Sequence, residues 1–106
     1  MKIGYINKKF EKKCSKAQLT WGERIGEKVL LRLAELAAFE NLSQVPNTPP
    51  QRCHLYKDKT IKFAVDLTQN YRLIFSPAGD YEVKEGIGLI RESVKAITIE
   101  DVEDYH

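Results

Sequence analysis

The sequence predicts an α+β domain in which an N-terminal strand and helices pack on one face of a mainly antiparallel four- to five-stranded sheet. Three observations carry that expectation. An apolar stripe at helical spacing runs through the first half, a breaker-rich segment follows at Val45-Pro46-Asn47-Thr48-Pro49-Pro50, and beyond it the apolar period becomes two. With 106 residues, 42% of them hydrophobic, there is material for one modest core, so residues 1–106 are read as a single domain.

Residues 2–6 read as a short strand, after which Asn7 offers a cap to a lysine-rich helical turn ending near Cys14. Thr20-Trp21-Gly22-Glu23 fits a capping box, with the Thr20 hydroxyl reaching forward and Glu23 reaching back. It opens the strongest helix, whose core stripe is Ile25, Val29, Leu33, Leu36 and Ala37, while Arg24, Lys28, Arg32 and Glu35 face water. Gly22 and Gly26 each weaken this helix by about 1 kcal/mol relative to Ala, so packing has to hold its first turns. The helix is expected to stop near Asn41, ahead of the prolines.

Residues 52–56, 62–67 and 71–75 then read as three strands, joined by tight turns at 58–60 and 68–70. Phe63, Val65 and Leu67 share a face, as do Tyr71, Leu73 and Phe75, so the odd positions pack under the helix and the even face is exposed. Pro77-Ala78-Gly79-Asp80 closes the third strand, and a last strand covers residues 94–99, where Ile97 and Ile99 alternate with polar neighbours. Tyr105 and His106 follow just past the sheet. Trp21 anchors the long helix, Tyr71 belongs to the core, and His54 is a strand-surface or hydrogen-bonded structural histidine.

Composition excludes several classes. No stretch approaches the roughly 20 apolar residues of a membrane span, and the N-terminus lacks the apolar core of a signal peptide, so the expected setting is the cytoplasm without membrane contact. Cys14 and Cys53 match no ligand spacing and read as buried or idle thiols, with no metal or cofactor implied. Charge is polarised along the chain: residues 1–20 hold six Lys and one Glu, whereas residues 64–106 hold four basic and nine acidic side chains. The cluster Lys8, Lys9, Lys12 and Lys13 suits either phosphate contact or the solvated face of a short helix.

Several segments carry a family resemblance. Arg52-Cys53-His54-Leu55-Tyr56-Lys57, Phe63-Ala64-Val65-Asp66-Leu67, Asn70-Tyr71-Arg72-Leu73-Ile74-Phe75 and the closing Glu103-Asp104-Tyr105-His106 resemble the toxin of a HigB-type toxin–antitoxin pair in the RelE/ParE superfamily. The resemblance implies a fold like that of small microbial ribonucleases and a ribosome-dependent endonuclease that cuts messenger RNA. It also implies neutralisation by a separate helix-turn-helix antitoxin of the HigA type, with operator DNA bound only through their complex. In that family a lysine follows the His-Leu strand within a segment like His-Pro-Leu-Lys-Gly-Asp-Arg. Here His54-Leu55-Tyr56-Lys57-Asp58-Lys59 lacks the proline and glycine, so Lys57 is the first candidate and Lys59 the second. Some members carry an arginine where this chain has Thr68, so that phosphate contact is either missing or supplied by Lys62.

The chemistry of metal-free RNA cleavage asks for the same residues. It needs a base for the ribose 2′-hydroxyl proton, a cation for the charge on the phosphorane, and an acid for the leaving oxygen. His106 suits a proton-transfer role, with a reference pKa of about 6.5. Arg72 offers a bidentate fork that keeps its charge. Tyr105, with a reference pKa of about 10, is assigned to substrate positioning by stacking or hydrogen bonding. Together the catalytic candidates are His106, Tyr105, Arg72 and Lys57, and Lys59, Lys62, Lys8, Lys9, Lys12 and Lys13 are candidates for contact with substrate or ribosome. Each also has a plainer role: Arg72 can be a surface strand residue paired with Asp66 or Glu100, and the lysines can be solvated. The alternatives to a nuclease are a non-enzymatic toxin that binds a target such as DNA gyrase, or a catalytically weakened remnant that only binds its partner.

Overall fold

The computed structural model describes residues 1–57 and 61–104, with Lys57 described by its backbone alone. The expected turn at 58–60 lies outside the described residues. Strand β1 (Lys2–Tyr5) leads into α1 (Lys8–Ser15), which starts where Asn7 Oδ1 accepts a hydrogen bond from the Phe10 amide at 2.8 Å. Phe10 and Cys14, four residues apart, give this helix its buried side, and its lysines take the other.

The expected capping box is not there. Thr20 sits inside a separate short helix, α2 (Ala17–Trp21), where its hydroxyl donates back to the carbonyls of Lys13 at 3.1 Å and Lys16 at 3.0 Å. Gly22 instead occupies the N-cap of α3 (Glu23–Ala38), with φ 85° and ψ 163° and no side-chain cap. Only glycine enters that region without strain, so the chain breaks there and restarts in a new direction. The break folds α2 back onto α3 at Gly26, where a β-carbon would lie 2.4 Å from backbone atoms of Ala17 and Gln18. Phe10 and Trp21 meet edge to face at 6.0 Å across the helix junction.

Helix α3 packs Val29 and Leu36 into the core and ends at Ala38, earlier than expected. Asn41 caps the short 3-10 turn Leu42–Gln44 instead, accepting from the Ser43 amide at 2.9 Å. Ala37, placed in the stripe by sequence, is exposed. Arg32, expected to face water, is only 3% exposed. Its Nε donates to the Asp66 carbonyl at 2.8 Å and its Nη1 to Glu35 Oε1 at 3.1 Å, so it serves a backbone acceptor at the end of β3 that α3 would otherwise bury unmet.

The sheet comprises β2 (His54–Lys57), β3 (Lys62–Asp66), β4 (Tyr71–Ala78), β7 (Ala96–Asp104) and β1, in the order β1-β7-β4-β3-β2. All neighbours are antiparallel except β1 and β7, which run parallel. A small separate hairpin joins β5 (Val83–Lys84) to β6 (Gly88–Leu89). The fold is therefore α+β, helices against one face of a mainly antiparallel five-stranded sheet. Phe63, Val65, Leu73, Phe75, Ile97 and Ile99 fill the helix side, Phe63 stacking on Phe75 at 5.9 Å, and Tyr71 packs against their edge. Among the described residues no helix is long and apolar enough to cross a membrane.

Strand boundaries differ from the expected ones for physical reasons. Residue 52 is excluded from β2 because Arg52 adopts φ 44°, and β4 continues through Pro77 because only β7 flanks it there, so no ladder bond to β3 is lost. Strand β7 starts later than expected and runs much further. A bulge opposite Ile74 and Phe75 puts both Glu100 and Asp101 off the core face while Val102 returns to it.

Candidate functional site

The face of the sheet away from the helices carries the even positions of β2, β3 and β4. It is less open than expected, since Ala64 and Ile74 are buried there. Polar side chains strap across them. From β2 the Tyr56 hydroxyl donates to Glu103 Oε2 on β7, passing over β3 and β4. From β3 Lys62 Nζ reaches Glu100 Oε1 at 2.8 Å, and Ser76 on β4 donates to Glu100 Oε2 at 2.6 Å. A shallow polar cavity of about 240 Å³ lies among Tyr56, Lys62, Ile74, Glu100, Asp101 and Glu103.

Arg72 stands on this face, as its position on β4 predicts. Its Cα pairs with Asp66 on one side and Glu103 on the other. Its Nε lies 3.3 Å from Asp66 Oδ1, and its side chain is 15% exposed. Asp66 is shared: Arg52 donates through Nε to Oδ2 at 2.7 Å and through Nη2 to Oδ1 at 3.0 Å. Two guanidinium groups thus converge on one carboxylate, which holds the Arg72 fork at the Asp66 end of the sheet. The left-handed backbone of Arg52 costs about 1–2 kcal/mol in principle, and the two-pronged pairing with Asp66 offsets it. His54 Nδ1 lies 2.7 Å from the Arg52 carbonyl, a structural contact that agrees with the plainer reading of this histidine.

Carboxylates dominate the face. Burial raises the Glu100 carboxyl, but the hydrogen bonds from Lys62 and Ser76 and the Lys62 charge outweigh it and hold the group below its ordinary range. Cys14 and Cys53 are buried free thiols pushed up to about 11 by burial, so neither is a thiolate nucleophile at neutral pH. Among the described residues no three His, Cys, Asp or Glu side chains gather to hold a metal ion.

Of the candidates from sequence, Arg72 and Lys62 share the outer face. Lys62 is already engaged by Glu100. Lys8, Lys9, Lys12 and Lys13 are exposed along α1, on another element, although Ile6, two residues ahead of that helix, borders the same polar cavity. Lys57 ends β2 and is described only as backbone. Lys59, Tyr105 and His106 lie outside the described residues; Asp104, which precedes Tyr105 in sequence, pairs its Cα with Tyr71 next to Arg72. Glu100 was named from the sequence only as a possible partner of Arg72, and Tyr56 and Glu103 only within the segments that carry the resemblance; none was given a role in the site. The signal for Glu103 was the register of β7 on β4, which depends on a bulge that no residue pattern announces. Compared with known proteins, the chain matches no family model, no curated protein and no solved structure.

Proposed function

We propose that the chain is the toxin of a type II toxin–antitoxin module, a metal-independent endoribonuclease that acts on messenger RNA in the ribosome and is neutralised by a separate helix-turn-helix antitoxin. The observation that carries this reading is the register that pairs Arg72 with Glu103 on the strand leading directly into Tyr105 and His106. A cation on the sheet, and a phenol and an imidazole that follow its last strand in sequence, are the groups that metal-free phosphodiester cleavage needs. In this mechanism Arg72 receives the charge developing on the phosphorane, His106 moves a proton and Tyr105 holds the nucleotide, with Lys57 or Lys59 supplying a second cation.

The carboxylates at Asp66, Glu100, Asp101 and Glu103 make the face a poor binder of free RNA, since phosphates are repelled from it. Such a site depends on a ribosome to hold the message, docked through the lysines of α1. A second reading draws on the same observation: a face whose charges are mutually paired suits a binding toxin, aimed at a target such as DNA gyrase, or a remnant that only binds its partner.

Induced expression of the wild type and of His106→Ala and Arg72→Ala, with growth and transcript ends recorded, separates these readings. The nuclease reading expects growth arrest with new transcript ends for the wild type alone. Equal arrest by all three without new ends refutes it in favour of a binding toxin.

A further inference from the structure

On the helix side of the sheet, α3 covers the centre but not the β2 edge. There Leu55, Ile61 and Phe63 floor a groove whose far wall is the β5–β6 hairpin with Val83 and Ile87, enclosing about 470 Å³. The groove is apolar and open: Leu55 is 43%, Val83 56% and Ile87 74% exposed. Apolar side chains clustered in this way, rather than scattered singly, mark a contact surface. Among the described residues its one charged lining residue is Arg91, whose guanidinium lies 4.9 Å from the Phe63 ring centroid. Among the described residues Arg91 makes no ion pair. Beside the groove runs β2, the edge strand of the sheet among the described residues. Its outer amides and carbonyls are a template for another strand.

We propose that this groove binds an extended segment of a partner protein that carries apolar side chains at alternate positions and a carboxylate for Arg91. Alternate residues of a strand laid along β2 point into the groove, and main-chain bonds to the edge supply affinity that is indifferent to sequence. Specificity then rests on the pocket and on the carboxylate. Arg91 settles the choice of occupant by charge complementarity. A second copy of this chain, meeting groove to groove, brings apolar residues and another Arg91 but, among the described residues, no carboxylate from its own groove, whereas an acidic partner segment satisfies the guanidinium. The inference goes beyond the nuclease reading and does not rest on it, because the groove lies on the opposite face from Arg72.

The test uses a phage-displayed random dodecapeptide library panned against the full chain, with the enriched peptides synthesised and titrated by fluorescence anisotropy. Expected peptides alternate apolar residues and contain Asp or Glu. Their affinity falls at least tenfold with Ile87→Ser, with Val83→Ser and with Arg91→Glu, and the last variant prefers the same peptides with Lys in place of the acid. Ile87 and Val83 are exposed, so their variants keep the fold, which circular dichroism checks. Absence of enriched peptides, enrichment of basic ones, or binding to all variants within twofold of the wild type overturns the proposal. So does a concentration-dependent dimer of the protein alone that Ile87→Ser abolishes, which gives the groove to a second copy.

Discussion

Replacing Gly26 by Ala reverses the usual sign of a helix substitution. In an exposed helix interior Ala is about 1 kcal/mol better than Gly, so propensity alone makes Gly26→Ala stabilising. Here the new β-carbon lands 2.4 Å from Ala17 C, Gln18 Cα and Gln18 N, all backbone atoms that no rotamer change can move aside. Carbon atoms rest at about 3.5–4.0 Å, so α2 has to retreat by about 1 Å. That retreat loosens buried Ala17 and the contact of Trp21 with Phe10. Overpacking costs typically 1–3 kcal/mol, and a rigid backbone obstacle belongs at the top of that range. Subtracting the propensity gain leaves a net loss of about 2 kcal/mol, which lowers Tm by about 8–16 °C in a domain of this size. Thermal and urea unfolding followed by circular dichroism and by the fluorescence of Trp21, the single tryptophan, measures both the loss and the shift of α2. Gly22→Ala is the companion variant: it meets nothing within 4 Å but is forced to φ 85°, so it loses stability through strain. A Gly26→Ala protein as stable as the wild type, with unchanged Trp21 emission, refutes the close approach of α2 to α3.

Arg32→Met leaves the Asp66 carbonyl without its donor and is expected to cost about 1–3 kcal/mol in urea unfolding, although it removes a buried charge. A double-mutant cycle of Asp66→Asn with Arg72→Gln is expected to give a coupling of about 1 kcal/mol or less, shrinking in high salt, because both side chains keep some contact with water. Burial raises the Cys14 and Cys53 thiols from 9.0 to about 11, so their contribution to stability is complete below pH 9 and is lost as pH rises through 11. Unfolding measured between pH 8 and 11 is expected to show that fall, and both thiols should resist alkylation at pH 8 until urea exposes them. Glu100, held below its ordinary value, contributes stability above pH 4.5 that is lost as pH falls through its lower folded value. Glu100→Gln should therefore flatten the acid limb of the stability curve, as followed by circular dichroism.

Local chemistry was legible where a residue answers to its own neighbours in sequence. Asn7 caps α1, the prolines end the helical half, and the alternation from Phe63 to Phe75 places the core face correctly, since each of these depends on a few adjacent side chains. Thr20 and Glu23 misled because a capping box assumes a continuous helix, and the conformation of Gly22 breaks it. Arg32 misled because helical spacing cannot say that a carbonyl from β3, 34 residues away, will arrive beside it. The site divides in the same way. Arg72 was placeable from its parity on one strand, and Asp66 was one of two partners named for it. Glu100 follows from alternation with Ile97 and Ile99, whereas Glu103 reached this face through the bulge in β7, a tertiary event. The Tyr56–Glu103 strap across this face depends on that bulge too, whereas the Lys62–Glu100 strap does not.

The parallel pairing of β1 with β7 joins Lys2 to Ala96 and Tyr5 to Ile99, partners separated by nearly the whole described chain. During synthesis at about 5–20 residues per second, β1 waits about 5–20 s for the strand that completes it. Central strand β4 waits as well, since β7 lies between it and β1. A polypeptide interrupted before β7 is thus left with an open sheet at two strands and no means of closing either. Premature release gives a chain without the strand that joins β1 to β4, and the surface built on β7 is withheld until that strand has emerged.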